Sequence, residues 1–220
     1  MTFLSRRLKI TVIPTSSADA EIAYDRPTLR FYADQASVYA ANARSAPSRN
    51  LDAFLKRLPS GARVLELGCG DGRDSEAMLA QGFDVDATDG VAAMATQAEA
   101  RLGRSVRVMR FDELDEEQAY DGVWANASLL HAPIPALPGV LERIFRALKP
   151  GGFHAASYKL GEGEGRDELG RYFNFLSGEA LQAAYRQSAA WEILSLQRQV
   201  GGDYAGGRRP WGAITVRRPG

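Results

Sequence analysis

The sequence is short of the residues that build disulfides and metal centres. Its 220 residues include one cysteine, Cys69, and two histidines, His131 and His154. A single cysteine cannot form an internal disulfide or a Cys-based metal cluster, and two histidines argue against an all-protein transition-metal site. We therefore expect a functional site without a metal ion.

An excess of charge of one sign is also missing. Lys and Arg together number 27, as do Asp and Glu, so that the formal net charge is zero. A neutral chain lacks the basic surface that attracts duplex nucleic acid or an anionic membrane. We expect no stable nucleic-acid binding, and a protein that is a monomer or a homodimer.

Long apolar runs are missing as well. No stretch approaches the roughly 20 apolar residues of a membrane span. The apolar residues that follow Arg6, Arg7 and Lys9 are too few for the core of a signal peptide and are interrupted by Pro14. These absences predict a cytoplasmic protein that does not contact a membrane.

Glycine, in contrast, is concentrated where an apolar run ends. Residues 64–72 read V-L-E-L-G-C-G-D-G, which predicts a buried strand, a glycine turn and the start of a helix. Glycines let the backbone approach a ligand, and the helix directs free N–H groups and its positive dipole end at that ligand. One helix and one strand later, Asp89 can accept hydrogen bonds from both hydroxyls of a ribose, or can cap the next helix. The pattern indicates a nucleoside-bearing cofactor.

The spacing of the glycines argues against a dinucleotide. The dinucleotide fingerprint G-x-G-x-x-G, started at Gly68, needs a third glycine where the sequence has Arg73. With Glu66 in the strand, the run is instead E-x-G-x-G-x-G, which resembles the first motif of the class I S-adenosylmethionine-dependent methyltransferases. Four further segments are similar to that family in the expected order: 83–90, 106–114, 120–131 and 148–152.

The resemblance implies S-adenosyl-L-methionine as the cofactor and S-adenosyl-L-homocysteine as its product. In the family, the position of Asp89 grips the ribose, the positions of Phe111 and Asp112 hold the adenine, and the end of the fourth strand faces the sulfonium. The cofactor-binding residues that the resemblance implies are Glu66, Gly68, Cys69, Gly70, Arg73, Asp89, Gly90, Phe111, Asp112, Asn126 and Ala127.

Three of these residues have an alternative role. Glu66 can orient the glycine turn through backbone N–H groups without touching the ligand. Cys69, between two glycines, can serve packing rather than thiol chemistry. Arg73 can reach the methionyl carboxylate of the cofactor or can face solvent.

His131 is the candidate catalytic residue, because it lies just past the fourth predicted strand at the edge of the expected acceptor site. A neutral imidazole there can take a proton from a hydroxyl or amine acceptor, or can hold a positioning or packing role. Methyl transfer mainly requires in-line alignment of acceptor, methyl carbon and sulfur, together with exclusion of water. No other catalytic constellation stands out.

Five residues are candidates for contact with the methyl acceptor. Tyr32 and Tyr39 lie on the predicted N-terminal helix, where a tyrosine stripe can equally serve packing. The Gly- and Glu-rich segment 159–173 can be a lid or a solvated connector. If it is a lid, it brings an anionic or polar acceptor to the remaining three candidates, Arg166, Arg171 and Tyr172.

The alternation of strands and helices predicts an α/β fold, a Rossmann-like doubly wound seven-stranded sheet with helices on both faces and the last strand antiparallel. The family resemblance implies the same topology. The predicted strands lie near 62–68, 83–88, 105–110, 120–125, 152–159, 191–196 and 211–216. The predicted helices lie near 28–42, 51–58, 72–81, 90–101, 136–148 and 177–188. We expect residues 1–25 to form a loose arm and residues 26–220 a single domain with a helical N-terminal cap over 28–58.

The leading functional hypothesis is methyl transfer from S-adenosylmethionine to a small-molecule acceptor through O, N or S, or to a chalcogen oxyanion. A methyltransferase that acts on tRNA or protein is the second hypothesis, and the neutral charge weighs against it. A non-catalytic cofactor-binding module or a nicotinamide-dependent oxidoreductase is the third. The missing glycine at Arg73 and the turn at 148–152 argue against the oxidoreductase.

Overall fold

The computed structural model describes residues 23–42, 46–202 and 207–220. Most of the predicted N-terminal arm, 1–22, lies outside the described residues. The helices are α1 (Arg26–Ala41), α2 (Leu51–Leu55), α3 (Arg73–Ala80), α4 (Ala92–Leu102), α5 (Leu137–Ala147) and α6 (Gly178–Ser188). The strands are β1 (Arg63–Leu67), β2 (Asp84–Asp89), β3 (Arg107–Val108), β4 (Tyr120–Asn126), β5 (Leu148–Lys159), β6 (Gly165–Arg166), β7 (Tyr172–Phe173), β8 (Glu192–Gly202) and β9 (Arg208–Arg217).

Seven of these strands form one sheet in the order β3-β2-β1-β4-β5-β9-β8. Strands β1 to β5 are parallel, and β9 runs antiparallel to both of its neighbours. The predicted fold class is therefore confirmed, including the antiparallel last strand. Strands β6 and β7 form a separate two-stranded ladder inside the segment 159–173.

Several element bounds differ from the sequence-based expectation. The third strand, expected over 105–110, is reduced to Arg107–Val108 at the sheet edge, where it has a partner on one side only. The last two strands are longer than expected, because they pair with each other as a hairpin from Glu192 opposite Arg217 out to Gly202 opposite Arg208. Hairpin pairing supports strand structure well beyond the apolar core segments that the pattern recognises.

Both faces of the sheet are buried at its centre, which explains the near-continuous apolar character of β1. Leu65 and Leu67 pack in the cluster that contains α5 and α6, whereas Val64 packs with Phe54 and Met78 in the cluster that contains α2 and α3. Alternating residues of one strand thus serve two cores.

The order of the strands determines where a ligand can bind. From β1 the chain runs outward to β2 and β3, and it then returns to place β4 and β5 on the other side of β1. At such a switch point the loops that follow the two central strands separate and leave a crevice at the carboxyl end of the sheet. The glycine turn after β1 and residues 126–128 after β4 both border this crevice.

Candidate active site

The crevice is a cavity of about 1160 Å³ at the carboxyl ends of β1, β2, β4 and β5. Helix α1 contributes to its wall and packs against the start of α4 through Ala36, Val91 and Met94. Most of the residues predicted from the sequence line this cavity. They are Tyr32, Tyr39, Glu66, Gly68, Cys69, Gly70, Arg73, Asp89, Gly90, Phe111, Asn126, Ala127, His131 and Arg171.

The glycines of the turn after β1 serve different purposes. Gly68, Gly70 and Gly72 all have positive φ angles, at +74°, +60° and +81°. A Cβ added at Gly68 would lie 2.5 Å from the Cβ of Ser128, so the turn and the end of β4 can approach only because Gly68 has no side chain. At Gly70 such a Cβ would meet only Met94 Cε and Tyr39 Cε1 at 3.9 Å, an ordinary van der Waals contact, and Gly70 lines the cavity. Gly70 is therefore where a ligand can approach the backbone.

Asp89 is 8% exposed at the end of β2, and both of its oxygens accept backbone hydrogen bonds. Oδ2 accepts from the N–H of Gly70 at 3.0 Å, and Oδ1 accepts from the N–H of Val91 at 2.9 Å. Burial raises the pKa of Asp89 to about 6, although these two bonds oppose the rise. A carboxylate oxygen has a second lone pair, so Asp89 can fix the glycine turn and still accept from a ligand in the cavity.

Glu66 is buried at the end of β1, where its carboxylate accepts a hydrogen bond from the hydroxyl of Ser75 on α3. Burial, followed by the nearby charge of Asp74, raises its pKa well above the usual value. Glu66 therefore joins β1 to α3, and it also lines the cavity.

Asp74 is a site residue that the sequence did not identify, since an acid in the first turn of a helix normally complements the dipole. The structure buries it and surrounds it with donors: Trp124 Nε1 at 2.9 Å and the N–H of Ser48 at 2.8 Å. The guanidinium of Arg73 lies 3.5 Å from it and also donates to Ser48 Oγ at 3.0 Å. Asp74 and Arg73 together hold the segment before α2 against the cavity.

The ends of β4 and β5 are joined by a chain of hydrogen bonds across the cavity floor. Asn126 donates to Ser48 Oγ at 2.7 Å and accepts from Ser157 Oγ at 2.7 Å. The N–H of Ala127 donates to the same Ser157 hydroxyl at 2.9 Å, and Ala127 has a positive φ of 55°. Ser128 Oγ donates to the carbonyl of Leu67 at 2.6 Å. These bonds fix the loop on which the family resemblance places the sulfonium.

His131 has both ring nitrogens engaged. Nδ1 lies 2.6 Å from the carbonyl oxygen of Tyr172, and Nε2 lies 3.0 Å from the hydroxyl of Tyr32. Because a carbonyl only accepts, the proton is on Nδ1, and Nε2 accepts from Tyr32. Burial, helped by the charges of Arg171 and Lys159 and opposed by the bond to Tyr172, lowers the pKa of His131 to about 4. The imidazole is neutral at pH 7.

Three predicted residues lie outside the cavity wall. Asp112 pairs with Arg110, its Oδ1 lying 3.2 Å from Arg110 Nε. Arg166 forms a two-pronged ion pair with Asp25 at 2.6 and 2.9 Å, in front of the α1 N-terminus. The hydroxyl of Tyr172 donates to Glu164 and accepts from the N–H of Ile134.

The segment around β6 and β7 is fastened to α1. Besides the Arg166–Asp25 pair, the N–H of Tyr172 donates to Thr28 Oγ1 at 2.8 Å, and Arg171 donates to the Tyr32 hydroxyl at 3.1 Å. Asp25 itself caps α1 by accepting from the N–H of Thr28. Arg166 and Tyr172 therefore hold the segment in place instead of lining the cavity.

Two wall residues beyond the predicted set, Lys159 and Phe173, lie next to the predicted residues His131 and Arg171. The ammonium of Lys159 lies 3.9 Å from the centroid of the Phe173 ring, and the guanidinium carbon of Arg171 lies 5.4 Å from it. The His131 ring is 4.6 Å away, between centroids. Lys159 was detectable as the charged last residue of a strand whose end lies at the crevice. Phe173 had no such signal, because its place depends on tertiary packing.

A metal cluster and a membrane-spanning helix are both absent from the described residues. Within residues 23–42, 46–202 and 207–220, no group of three or more His, Cys, Asp or Glu side chains is arranged to hold a metal ion. Over the same residues, no helix combines the length and the apolar character that crossing a membrane requires.

Comparison with known proteins gives consistent matches. A family model described as a methyltransferase domain matches residues 39–187. The ubiquinone biosynthesis O-methyltransferase of Xylella fastidiosa is 36% identical over 110 residues, which are 46% of this chain and 44% of the relative. The malonyl-[acyl-carrier protein] O-methyltransferase of Enterobacter lignolyticus is 31% identical over 176 residues, or 69% of this chain and 68% of the relative. The chain thus spans less than half the length of the first relative and two thirds of the second.

Among solved structures, the 1,6-didemethyltoxoflavin-N1-methyltransferase of Burkholderia thailandensis, with bound 1,6-didemethyltoxoflavin and S-adenosylhomocysteine, has a TM-score of 0.74. The match covers 96% of this chain and 94% of that one at 23% identity, so it is a likeness of fold. The matched family model begins in the last turn of α1, ends in α6 and covers the glycine turn, Asp89 and the end of β4. The predicted family is confirmed: the chain belongs to the class I S-adenosylmethionine-dependent methyltransferases.

Proposed function

We propose that this chain transfers the methyl group of S-adenosylmethionine to a small-molecule acceptor by in-line displacement. The observation that carries the proposal is a cavity that joins the glycine turn and Asp89 to the ring of Phe173 and its neighbours His131, Lys159 and Arg171. Its volume of about 1160 Å³ exceeds the roughly 300–1,000 Å³ that one drug-sized ligand occupies, which favours two ligands side by side.

The residues on the wall fit the cofactor. Gly70 lines the cavity without a side chain, so a ligand can approach its backbone, and Asp89 retains lone pairs for ribose hydroxyls. Phe111 lies on the wall beside Gly68 and offers an apolar face to the adenine. The guanidinium of Arg73 donates to Ser48 Oγ and lines the cavity, where it can bind the methionyl carboxylate. When bound, the cofactor supplies an activated methyl group on a cationic sulfur.

The role proposed for the chain is alignment and exclusion of water. The Asn126–Ser157–Ala127 bonds fix the floor beside the methyl group, and α1 covers the acceptor side. His131 fits a positioning role better than that of a base, because the lone pair on Nε2 already accepts a hydrogen bond from the Tyr32 hydroxyl. In-line geometry in a closed site is the main requirement of this reaction.

The first test is calorimetric titration of the protein with S-adenosylhomocysteine, with NAD as the comparison ligand. We expect micromolar binding of S-adenosylhomocysteine alone. Asp89→Ala should weaken that binding by about 1–3 kcal/mol, because ribose hydroxyls lose their acceptor. The matched control is Asp84→Ala, an exposed acid at the other end of the same strand, which should leave the Kd unchanged.

Binding of NAD, or of neither ligand, would contradict the proposed function. Equal effects of the two aspartate variants would remove Asp89 from the binding site. The monomeric or homodimeric state, the cytoplasmic location and the absence of stable nucleic-acid binding stay predictions.

A further inference from the structure

Ser48, in the segment before α2, lies on the cavity wall with an incomplete set of hydrogen bonds. Its hydroxyl oxygen accepts twice, from Arg73 Nη2 at 3.0 Å and from Asn126 Nδ2 at 2.7 Å. Two accepted bonds occupy both lone pairs of a hydroxyl and leave its single proton to be donated. Over the part of the chain that the structure describes, no group accepts that proton. The Ser48 hydroxyl is therefore a hydrogen-bond donor on the wall of the cavity.

The position of Ser48 is fixed by its neighbours. Its backbone N–H donates to Asp74 Oδ1 at 2.8 Å, and Asp74 is 4% exposed. The other carboxylate oxygen of Asp74 accepts from Trp124 Nε1 at 2.9 Å. Because the backbone and the hydroxyl oxygen of Ser48 are both bonded to the protein, the direction of the remaining donor is set before a ligand binds. Such preorganisation lowers the entropic cost of binding.

The order of the strands indicates which part of the cofactor reaches Ser48. Strands β3, β2 and β1 are successive neighbours, and Phe111, Asp89 and Gly70 follow them in that order. Ser48 is bonded to Asn126, the last residue of β4, which lies on the opposite side of β1 from Asp89. The cofactor carries its adenine and its amino acid on opposite sides of the ribose. With the ribose at Asp89 and the adenine beside Phe111, the amino-acid end is expected near Ser48.

Charges of both signs border Ser48. The guanidinium of Arg73 lies 3.5 Å from the carboxylate of Asp74, and Glu66 and Asp71 line the same part of the cavity. A net potential therefore does not select the ligand group here, but the type of hydrogen bond does. An ammonium group only donates, whereas a carboxylate accepts. Of the two charged groups of an α-amino acid, only the carboxylate can accept the Ser48 proton.

Resting on the proposed function, we infer that the Ser48 hydroxyl donates a hydrogen bond to the carboxylate of the cofactor's amino-acid end. Ser48 is thus a cofactor-binding residue outside the strand-end motifs, and Asp74 is a positioning residue that holds it. Arg73, which donates to the same hydroxyl, is the neighbouring donor to that carboxylate. Hydrogen bonds to an ionised acceptor are roughly twice as strong as those between neutral groups.

The test compares two ligands that differ in the amino-acid end. S-Adenosylhomocysteine has the carboxylate, whereas 5′-methylthioadenosine keeps the adenine, the ribose and the sulfur but lacks the amino acid. In calorimetric titration, direct or by displacement, Ser48→Ala should raise the Kd of S-adenosylhomocysteine about tenfold, through loss of one bond to a charged group. The Kd of 5′-methylthioadenosine should stay within about twofold. Equal changes for the two ligands, or no change for either, would overturn the inference.

Three further variants separate direct donation from indirect effects. Ser48→Thr keeps the hydroxyl and should retain most of the affinity for S-adenosylhomocysteine. Ser157→Ala removes the hydroxyl that donates to Asn126 from the other side, and should change the Kd of both ligands by the same factor. In an Arg73→Gln background, Ser48→Ala should still weaken S-adenosylhomocysteine by about tenfold.

Two results would show that Ser48 acts through other groups, and either would overturn the assignment. A loss specific to S-adenosylhomocysteine in Ser157→Ala would mean that the effect passes through the cavity floor. No loss from Ser48→Ala in the Arg73→Gln background would mean that Ser48 acts only through Arg73.

The two proposals fail separately. If the unaltered protein binds neither ligand, the proposed function is wrong. If it binds both, and Ser48→Ala leaves the ratio of the two Kd values unchanged, only the role of Ser48 is wrong. If Ser48→Ala does not fold, Ser48→Cys replaces it, because a thiol occupies the same position but is a weak donor.

Discussion

The cofactor end and the acceptor end of the cavity are built in different ways. At the cofactor end, the backbone of one glycine turn and the acids at two strand ends lie within 24 residues of sequence, from Glu66 to Asp89. At the acceptor end, the ring of Phe173 is surrounded by His131, Lys159 and Arg171 from separate segments. A short motif can therefore encode the first end, while the second is assembled only by the tertiary fold.

The largest expected effect comes from adding a side chain at Gly68, in the glycine turn of the cofactor end. We expect Gly68→Ala to lower the free energy of unfolding by about 3 kcal/mol, because the new Cβ would lie 2.5 Å from Ser128 Cβ and the residue has a positive φ. The control is Gly82→Ala, which has a φ of +84° but nothing within 4 Å, and should cost about 1 kcal/mol. Urea unfolding of both variants measures the difference, and equal losses would show that the contact with Ser128 is unimportant.

A pH series sharpens the comparison at Asp89. The pKa of this group is about 6 in the protein without ligand, and ribose hydroxyls favour its ionised form. Below pH 6 the carboxyl must lose a proton on binding, so the Kd of S-adenosylhomocysteine should rise by up to about tenfold per pH unit. Above pH 7 the Kd should not depend on pH. Asp89→Asn should abolish this dependence, and a slope that persists in that variant would assign it to another group.

The smallest expected effect is at the acceptor end. Tyr32→Phe removes the hydroxyl that donates to His131 and accepts from Arg171. We expect the free energy of unfolding to fall by about 1 kcal/mol, the usual net value of such a bond. The Kd of S-adenosylhomocysteine should not change, since this contact lies away from the glycine turn. A weakened Kd would mean that the two ends are not independent.

The sequence was sufficient for the fold and the family because the informative signals were local. Apolar strands, the glycine run and the strand-end acid each lie within a few residues, and their order along the chain defines the sheet. Glu66 and Asp89 lie at the ends of two such strands, and both line the cavity as predicted. Ser177, the first residue of the predicted helix 177–188, caps α6 by accepting from the N–H of Ala180.

The partners of individual side chains, such as Arg166 and Asp74, could not be predicted, because they lie on segments that are distant in the sequence. Whether Arg166 faces a ligand or an acid depends on Asp25, which is 141 residues away, and the structure pairs the two. Asp74 follows a helix-dipole pattern, yet Trp124 and Ser48 come to it from other elements. Local periodicity carries no information about such partners.

Helix α1 borders both ends of the cavity. Its Leu29 and Tyr39 lie near Gly90 and Gly70, while its Tyr32 contacts His131. Displacing this one helix would therefore uncover the two ligands together, and closing it would enclose them together.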